Sequence, residues 1–138
     1  MVNNIHSISN RHKISIAPMM DCTDKHFRMI MRQISSHALL YTEMIVAQSL
    51  IYSKGREKFL NFNPEEHPIS IQFGGDDPKF LSEVAKMAED WGYDEINFNV
   101  GCPSSRVSSG NFGASLMNNP EQVGICIEAL KNNCKIPV

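Results

Sequence analysis

The segment YDEINFNVGCPSSR, residues 93–106, decides how the rest of the chain is interpreted. Apolar side chains alternate with Asn97 and Asn99, as in a strand whose residues point to opposite faces of a sheet. Pro103 disfavours helix at the residue before it, so Cys102 lies where a strand ends and a loop begins. Parallel α/β proteins bind ligands at that place. From the spacing alone, Cys102 is either a functional thiol or a small buried packing residue.

Three further segments of the chain repeat this pattern. Strand-like segments begin near residues 14, 38, 69 and 95, and a helical pattern follows each of them. A repeat of roughly 25 to 30 residues is typical of parallel β/α units. A complete (β/α)₈ barrel takes about 250 residues. We therefore predict a polar N-terminal tail over 1–13 and, over 14–138, an α/β domain of about four β/α units, the N-terminal half of a TIM (β/α)₈ barrel. A small open sheet is the alternative.

The first two units carry specific expectations. Thr23 or Asp24 is predicted to cap a helix. The helix has one apolar face, formed by Phe27, Ile30, Met31 and Ile34. The second strand is predicted over 38–42, with a short helix over 44–52 after it. After 135–138 a fifth strand would begin.

Composition excludes several classes of protein. The chain has 138 residues, 42% hydrophobic and 20% charged, with a formal net charge of −2, as in an ordinary globular protein. Binding to RNA would therefore depend on a local patch. The cysteines form no C-x-x-C motif and no His pair has zinc-like spacing, so no metal site is predicted. No apolar run approaches the roughly 18 residues of a membrane span. A cytoplasmic location with reduced thiols is expected.

Five strings of residues, in order, resemble the tRNA-dihydrouridine synthase family, and most of all its A subfamily. The strings are Ala17-Pro18-Met19-Met20-Asp21, Leu40-Tyr41-Thr42-Glu43-Met44, Glu66-His67-Pro68-Ile69 with Ile71-Gln72 after it, Gly92-Tyr93-Asp94-Glu95-Ile96-Asn97, and Asn99-Val100-Gly101-Cys102-Pro103-Ser104. The resemblance runs from about residue 14 to the last residue. At Ser115 many members of the family have a second cysteine, which does not affect the match at Cys102.

The resemblance implies an FMN-dependent barrel that reduces uridine to 5,6-dihydrouridine in the D-loop of tRNA. In that family NADPH reduces the flavin, hydride passes to C6 of the uracil, and a cysteine protonates C5. Cys102 matches the cysteine and is expected to keep its proton, as a general acid must. Asn99 matches a residue that meets the target nucleotide. The positions that match flavin contacts are Pro18, Met19, Met20 and Gln72.

Parts of the family's enzyme have no counterpart in these residues. The later barrel strands, which hold further flavin contacts, and the helical tRNA-binding domain are absent. We therefore expect the isolated chain to bind FMN weakly, to be inactive, and to expose an uncovered apolar interior that favours self-association. Two alternatives remain open. One is another FMN barrel oxidoreductase, such as a dihydroorotate dehydrogenase-like enzyme, and the other is a non-catalytic truncated remnant.

Overall fold

The computed structural model describes residues 12–104, 107 and 110–138, and its centre is a sheet of four parallel strands. The strands are Ser15–Ile16 (β1), Leu39–Val46 (β2), Ile69–Gly74 (β3) and Glu95–Phe98 (β4). The helices with described bounds are Lys25–Ile34 (α1), Ala47–Tyr52 (α2), Glu57–Leu60 (α3), Pro78–Trp91 (α4) and Pro120–Lys131 (α5), and short 3₁₀ helices cover Pro64–Glu66 and Gly113–Asn118. Most of the predicted N-terminal tail, residues 1–11, lies outside the described residues.

The order of the strands confirms the predicted fold class. The sheet has the order β1-β2-β3-β4, and each strand pairs in parallel with the strand before it in the sequence. One half of a (β/α)₈ barrel, with about four β/α units, has this arrangement. At the open edge of β4, the backbone N–H of Ile96 donates to the carbonyl of Pro137 at 2.9 Å. The predicted lead-in to a fifth strand therefore lies where that strand would pair.

Strand β2 is longer than predicted. It continues through Val46, and α2 begins only at Ala47, so the expected helix over 44–52 was wrong in its first turn. The cause is pairing with β3, which holds Met44 opposite Gln72 after an irregularity in the register. The irregularity is stabilised by Thr42, whose Oγ1 accepts the backbone N–H of Gln72 at 3.1 Å. Cross-strand pairing here overrides the local helical preference.

The helix boundaries follow the capping signals in the sequence. The carboxylate of Asp24 accepts two backbone N–H groups of the first turn of α1, at 3.0 and 2.8 Å. Those bonds hold the pKa of Asp24 below its usual value. Asp77 caps α4, which begins at Pro78 and ends at Trp91. The residue after it, Gly92, is the C-cap and has the left-handed conformation, with φ of 87°. Asn119 caps α5. The strands are thereby joined by helices of defined length and direction.

The two faces of the sheet differ in chemistry. The face toward the helices is apolar, and its buried core includes Ile69, Ile71, Phe73, Leu81, Val84, Ala88, Ile96 and Leu130. The opposite face corresponds to the barrel interior. It presents Tyr41 and Glu95, whose side chains join by a 3.2 Å hydrogen bond, and, farther along the strands, Gln72 beside Asn97. The inner face is therefore mixed rather than uniformly apolar as predicted, because Leu39 borders the same hollow as Tyr41 and Glu95, and Met44 lies beside Gln72.

Helix α1 turns a charged face inward. The predicted helix and its apolar face are present, but Ile30 and Ile34 are 62% and 72% exposed, whereas Arg28 and Arg32 are buried. Arg28 forms a buried ion pair with Glu66, with Nε and Oε2 2.5 Å apart. Arg32 donates to four backbone carbonyls, those of Ser35, Ala38, Glu66 and Pro68, at 2.7 to 3.0 Å. These partners make burial of the arginines possible.

Candidate active site at the C-terminal end of the sheet

A cavity of about 670 Å³ lies at the C-terminal ends of the strands. Five of the six predicted site residues line it, namely Pro18, Met20, Gln72, Asn99 and Cys102. They come from the ends of β1, β3 and β4, which parallel pairing places at one edge of the sheet. The volume is within the usual range of roughly 300 to 1,000 Å³ for small-molecule sites. The sheet thus brings together residues that are up to 84 positions apart in the sequence, from 18 to 102.

Met19 is the predicted residue that does not line the cavity. Its side chain is 42% exposed, and its backbone is committed to a local turn. The N–H of Met19 donates to Thr23 Oγ1 at 3.0 Å, and the same hydroxyl donates to the carbonyl of Met19 at 3.1 Å. Met19 therefore holds the loop after β1 in shape, while its neighbours Pro18 and Met20 face the cavity.

A chain of side-chain amides forms the polar part of the cavity. Nε2 of Gln72 donates to Oδ1 of Asn97 at 2.7 Å, and Nδ2 of Asn99 donates to Oε1 of Gln72 at 3.0 Å. Oδ1 of Asn99 accepts the backbone N–H groups of Gly101 and Cys102, at 3.1 and 3.0 Å. The chain therefore runs without a break from the inner face of the sheet to the loop that holds the cysteine.

The loop of Cys102 is also fixed from its other side. Cys102 is half-buried, and its carbonyl accepts the N–H of Ala114 at 3.0 Å. Gly113 passes close beside it, with φ of 64°, and a Cβ at this position would lie 2.7 Å from the carbonyl oxygen of Cys102. Only glycine adopts this conformation without strain and leaves room for that oxygen. The cysteine thus lies on a defined support at the cavity wall.

Sequence reasoning did not assign six further residues that line the cavity. They are Asp21, Met44, Val46, Ser104, Val107 and Phe112. Met44 and Val46 were placed in a helix, although the β-branched residues Ile45 and Val46 are a usable strand signal. Met44 and the ring of Phe112 both pack against Gly74, where a Cβ would lie 2.8 Å from the sulfur and 3.1 Å from the ring. Because Gly74 has no side chain at the end of β3, Met44 and Phe112 can pack there and form the apolar wall.

No described helix has the length and apolarity of a membrane span. Within residues 12–104, 107 and 110–138, no three His, Cys, Asp or Glu side chains cluster as metal ligands would.

Fold and site together define a class of protein, a parallel α/β protein wound in one direction with its binding cavity at the C-terminal ends of the strands. The sequence profile of the family described as "Dihydrouridine synthase (Dus)" matches residues 15–138. The chain belongs to the dihydrouridine synthase family. This result confirms the resemblance to the dihydrouridine synthase family, and it favours that family over a dihydroorotate dehydrogenase-like enzyme.

Curated relatives match nearly the whole chain. A protein of Synechocystis sp. is 55% identical over 130 residues, which are 94% of this chain and 39% of the relative. Relatives from Vibrio cholerae and Escherichia coli K12 are 51% and 49% identical over 126 residues, 91% of this chain and 38% and 36% of their own lengths. All three are named tRNA-dihydrouridine(20/20a) synthase. The chain thus spans about two fifths of the relatives that it matches.

Proposed function

We propose that this chain supplies part of the active site of an enzyme that reduces uridine in tRNA to 5,6-dihydrouridine. The supporting observation is the cavity in which Cys102 lies together with Gln72, Asn99, Pro18 and Met20. These residues belong to three separate strings of the sequence. Their convergence in one cavity is what an oxidoreductase site of this family requires.

The residues present fit the flavin mononucleotide expected from the family. The cavity combines an apolar wall, with Met20, Met44 and Phe112, and the amide of Gln72. A flavin ring has flat apolar faces and a polar edge, so both parts have a counterpart. We expect the backbone of Pro18 and Met20 and the side chain of Gln72 to hold it. The bound flavin would supply the hydride for C6 of the uracil, with NADPH as the proposed source of electrons.

Cys102 is the proposed proton donor. Addition of hydride to C6 converts the C5–C6 double bond to a single bond and leaves an electron pair at C5. The S–H bond of Cys102 breaks, the proton forms a C–H bond at C5, and the thiolate regains a proton from solvent. The amide-held loop would keep the thiol at one position relative to Gln72, so that the acid faces the same carbon in each turnover.

Asn99 is the proposed contact to the target base. Its Oδ1 already accepts two backbone N–H groups, which is the capacity of a carbonyl oxygen. What Asn99 can still offer is the second N–H of Nδ2, because the first donates to Gln72. A fixed N–H donor suits a carbonyl oxygen of uracil. It does not suit the amino group that cytosine has at C4.

The proposed macromolecular partner is tRNA, in the cytoplasm. The target uridine must leave its stack to reach the cavity, at a cost of a few kcal/mol, which is lowest in an exposed loop. The names of the relatives give positions 20 and 20a, and we propose the same region of the D-loop as the target here. With a net charge of −2, this chain has no overall attraction for the phosphate backbone, so contact with tRNA would depend on a local basic patch.

The test is a chimera in which this chain replaces the matched part of the Synechocystis relative. It is expressed in bacteria that lack dihydrouridine synthases, and dihydrouridine is measured by mass spectrometry of tRNA nucleosides. We expect the chimera to form dihydrouridine, Cys102→Ala to reduce it at least about a hundredfold, as loss of a general acid does, and the matched control Cys22→Ala to retain it.

Two results would contradict the proposal. One is a chimera that binds FMN yet forms no dihydrouridine, while the intact relative does so in the same cells. The other is a Cys102→Ala chimera that keeps full activity. Oxidation of dihydroorotate by the purified chimera, without activity on tRNA, would favour the alternative oxidoreductase.

The isolated chain is predicted to bind FMN weakly and to form no dihydrouridine. Titration of the 138-residue chain with FMN, followed by flavin fluorescence, measures the first, and sedimentation measures its predicted self-association. Tight stoichiometric binding by a monomer would contradict the expectation that the site needs further strands.

A further inference from the structure

We propose that Asn97 is a positioning residue, which sets the orientation of the amides that lead to Cys102. Asn97 lies within β4, two residues before Asn99, and is opposite Gln72 in the register of the sheet. It does not line the cavity that holds Cys102. Its functional meaning depends on the proposed function, but its effect on Cys102 can be measured without flavin or tRNA.

The first step of the argument concerns the two ends of the Gln72 amide. Its Nε2 lies 2.7 Å from Oδ1 of Asn97, and its Oε1 lies 3.0 Å from Nδ2 of Asn99. If the amide were rotated by 180°, Nε2 would face the N–H donors of Asn99, and Oε1 would face Oδ1 of Asn97. Both contacts would then be repulsive. An oxygen at Asn97 therefore selects the observed orientation.

The second step concerns Asn99, which has no freedom to reverse. Its Oδ1 accepts the N–H groups of Gly101 and Cys102, and backbone N–H groups can only donate. Nδ2 of Asn99 must therefore point to Gln72, where it needs an oxygen as its acceptor. The loop therefore sets the direction of the amide chain, and Oδ1 of Asn97 accepts the N–H of Gln72 at the far end of the chain. Gln72, between them, satisfies both ends in one orientation only.

The third step connects the direction of these hydrogen bonds to the position of Cys102. Gln72 is 7% exposed, so an unpaired amide end would carry a desolvation penalty and would seek another partner. Without the acceptor at Asn97, Gln72 can turn, Asn99 loses its acceptor, and the loop of Cys102 loses part of its support. In the proposed enzyme, the same change would misplace both the residue expected to hold the flavin and the proton donor. Asn97 thus acts on the reaction through two other side chains.

The experiment compares Asn97→Leu with Asn97→Asp in the 138-residue chain. Leucine has the branched shape of asparagine without a hydrogen-bond acceptor, whereas aspartate keeps the acceptor oxygen. Each protein is treated with iodoacetamide, and the labelling of every cysteine is followed by peptide mass spectrometry. Exposed Cys22 is the internal reference, and fully buried Cys126 reports unfolding.

We expect Asn97→Leu to raise the labelling rate of Cys102, relative to Cys22, by about fivefold, the effect of losing one hydrogen bond. Asn97→Asp should remain close to the unsubstituted chain. Equal Cys102 rates in the Leu variant and the unsubstituted chain, or an Asp variant that matches the Leu variant, would overturn the proposal. A merely structural role for Asn97 would expose Cys126 together with Cys102.

A second measurement decides the matter if Asn97→Leu fails to fold. In the unsubstituted chain, the side-chain N–H groups of Gln72 should exchange with solvent at least about fivefold more slowly than those of exposed Gln33, by nuclear magnetic resonance. Equal exchange rates would overturn the proposal. Both measurements are independent of catalysis, so an inactive chimera with a rigid amide chain would refute the proposed function alone.

Discussion

The two ends of β3 are held by polar networks of opposite kinds. Before its first residue, Glu66 pairs with Arg28, and Arg32 donates to the carbonyls of Glu66 and Pro68. Near its last residues, Gln72 takes part in a network of neutral amides. The charged network lies at the N-terminal ends of the strands, which we call the charged edge. The neutral network lies at their C-terminal ends, beside the cavity, which we call the amide edge.

The difference shows how stability and chemistry are divided between the two edges. A buried ion pair holds its geometry firmly, because removal of one partner leaves an uncompensated charge. Amides carry no net charge, and Asn99 keeps one N–H after its internal bonds are made. The neutral network can therefore orient a loop and still bind a ligand. Parallel barrels generally place stabilising residues at one edge and functional residues at the other.

The largest effect is expected at the charged edge. Glu66→Ala should lower the free energy of unfolding by about 3 to 5 kcal/mol, since Arg28 would remain buried without its partner. Urea unfolding followed by circular dichroism measures the change. Glu65→Ala is the matched control, because Glu65 is exposed, and it should change stability by less than about 0.5 kcal/mol. If both variants have the same midpoint, the charged network does not stabilise the fold.

A smaller effect on stability is expected at the amide edge. Asn99→Ala should lower the free energy of unfolding by about 1 to 3 kcal/mol, because the N–H groups of Gly101 and Cys102 lose their acceptor. The exposed Asn61, changed to alanine, is the control. The same urea experiment serves here. A loss larger than that of Glu66→Ala would reverse the contrast between the two edges.

The smallest effect at neutral pH is expected between the edges, at Tyr41. Burial, with a contribution from the Glu95 carboxylate, raises the pKa of Tyr41 to about 12 from its ordinary value of 10.0. A raised tyrosine pKa stabilises the fold below pH 10, and this contribution is lost as the pH rises from about 10 to about 12, because the unfolded chain releases the proton first. Tyr41→Phe should therefore reduce the loss of stability over that range.

The pH experiment compares urea midpoints at pH 8 and pH 11 for both proteins. Part of the alkaline loss should remain in Tyr41→Phe, because burial also raises the pKa of Tyr93. At pH 8, the variant should lose about 1 kcal/mol or less, the value of one hydrogen bond. Identical alkaline slopes in the two proteins would show that Tyr41 keeps no raised pKa in the folded chain.

Much of this molecule follows from local sequence patterns. The strand-helix repeat predicted the parallel sheet, the cap at Asp24 predicted a helix start, and strand ends predicted where site residues meet. The continuation of β2 to Val46 was not predicted, because it depends on pairing with residues 28 positions later in the sequence, such as Gln72 opposite Met44. The orientation of Gln72 is likewise set by partners on β4, which no pattern within β3 reports.

The exposed face of α1 illustrates a second limit. Its spacing gives the position of the apolar side chains but not the direction in which they point. Arg28 and Arg32 point inward because Glu66 pairs with Arg28 and backbone carbonyls accept hydrogen bonds from Arg32. Ile30 and Ile34 are left outward as a result.

The strictly sequential order of the strands has a consequence for biosynthesis. Each of β2, β3 and β4 pairs with the strand made just before it, so a partner is already present when each of them is translated. Loop closures between neighbours span a single helix, which keeps their entropy cost low. The sheet can therefore grow one strand at a time as the chain leaves the ribosome, with Cys102 in the loop that follows β4.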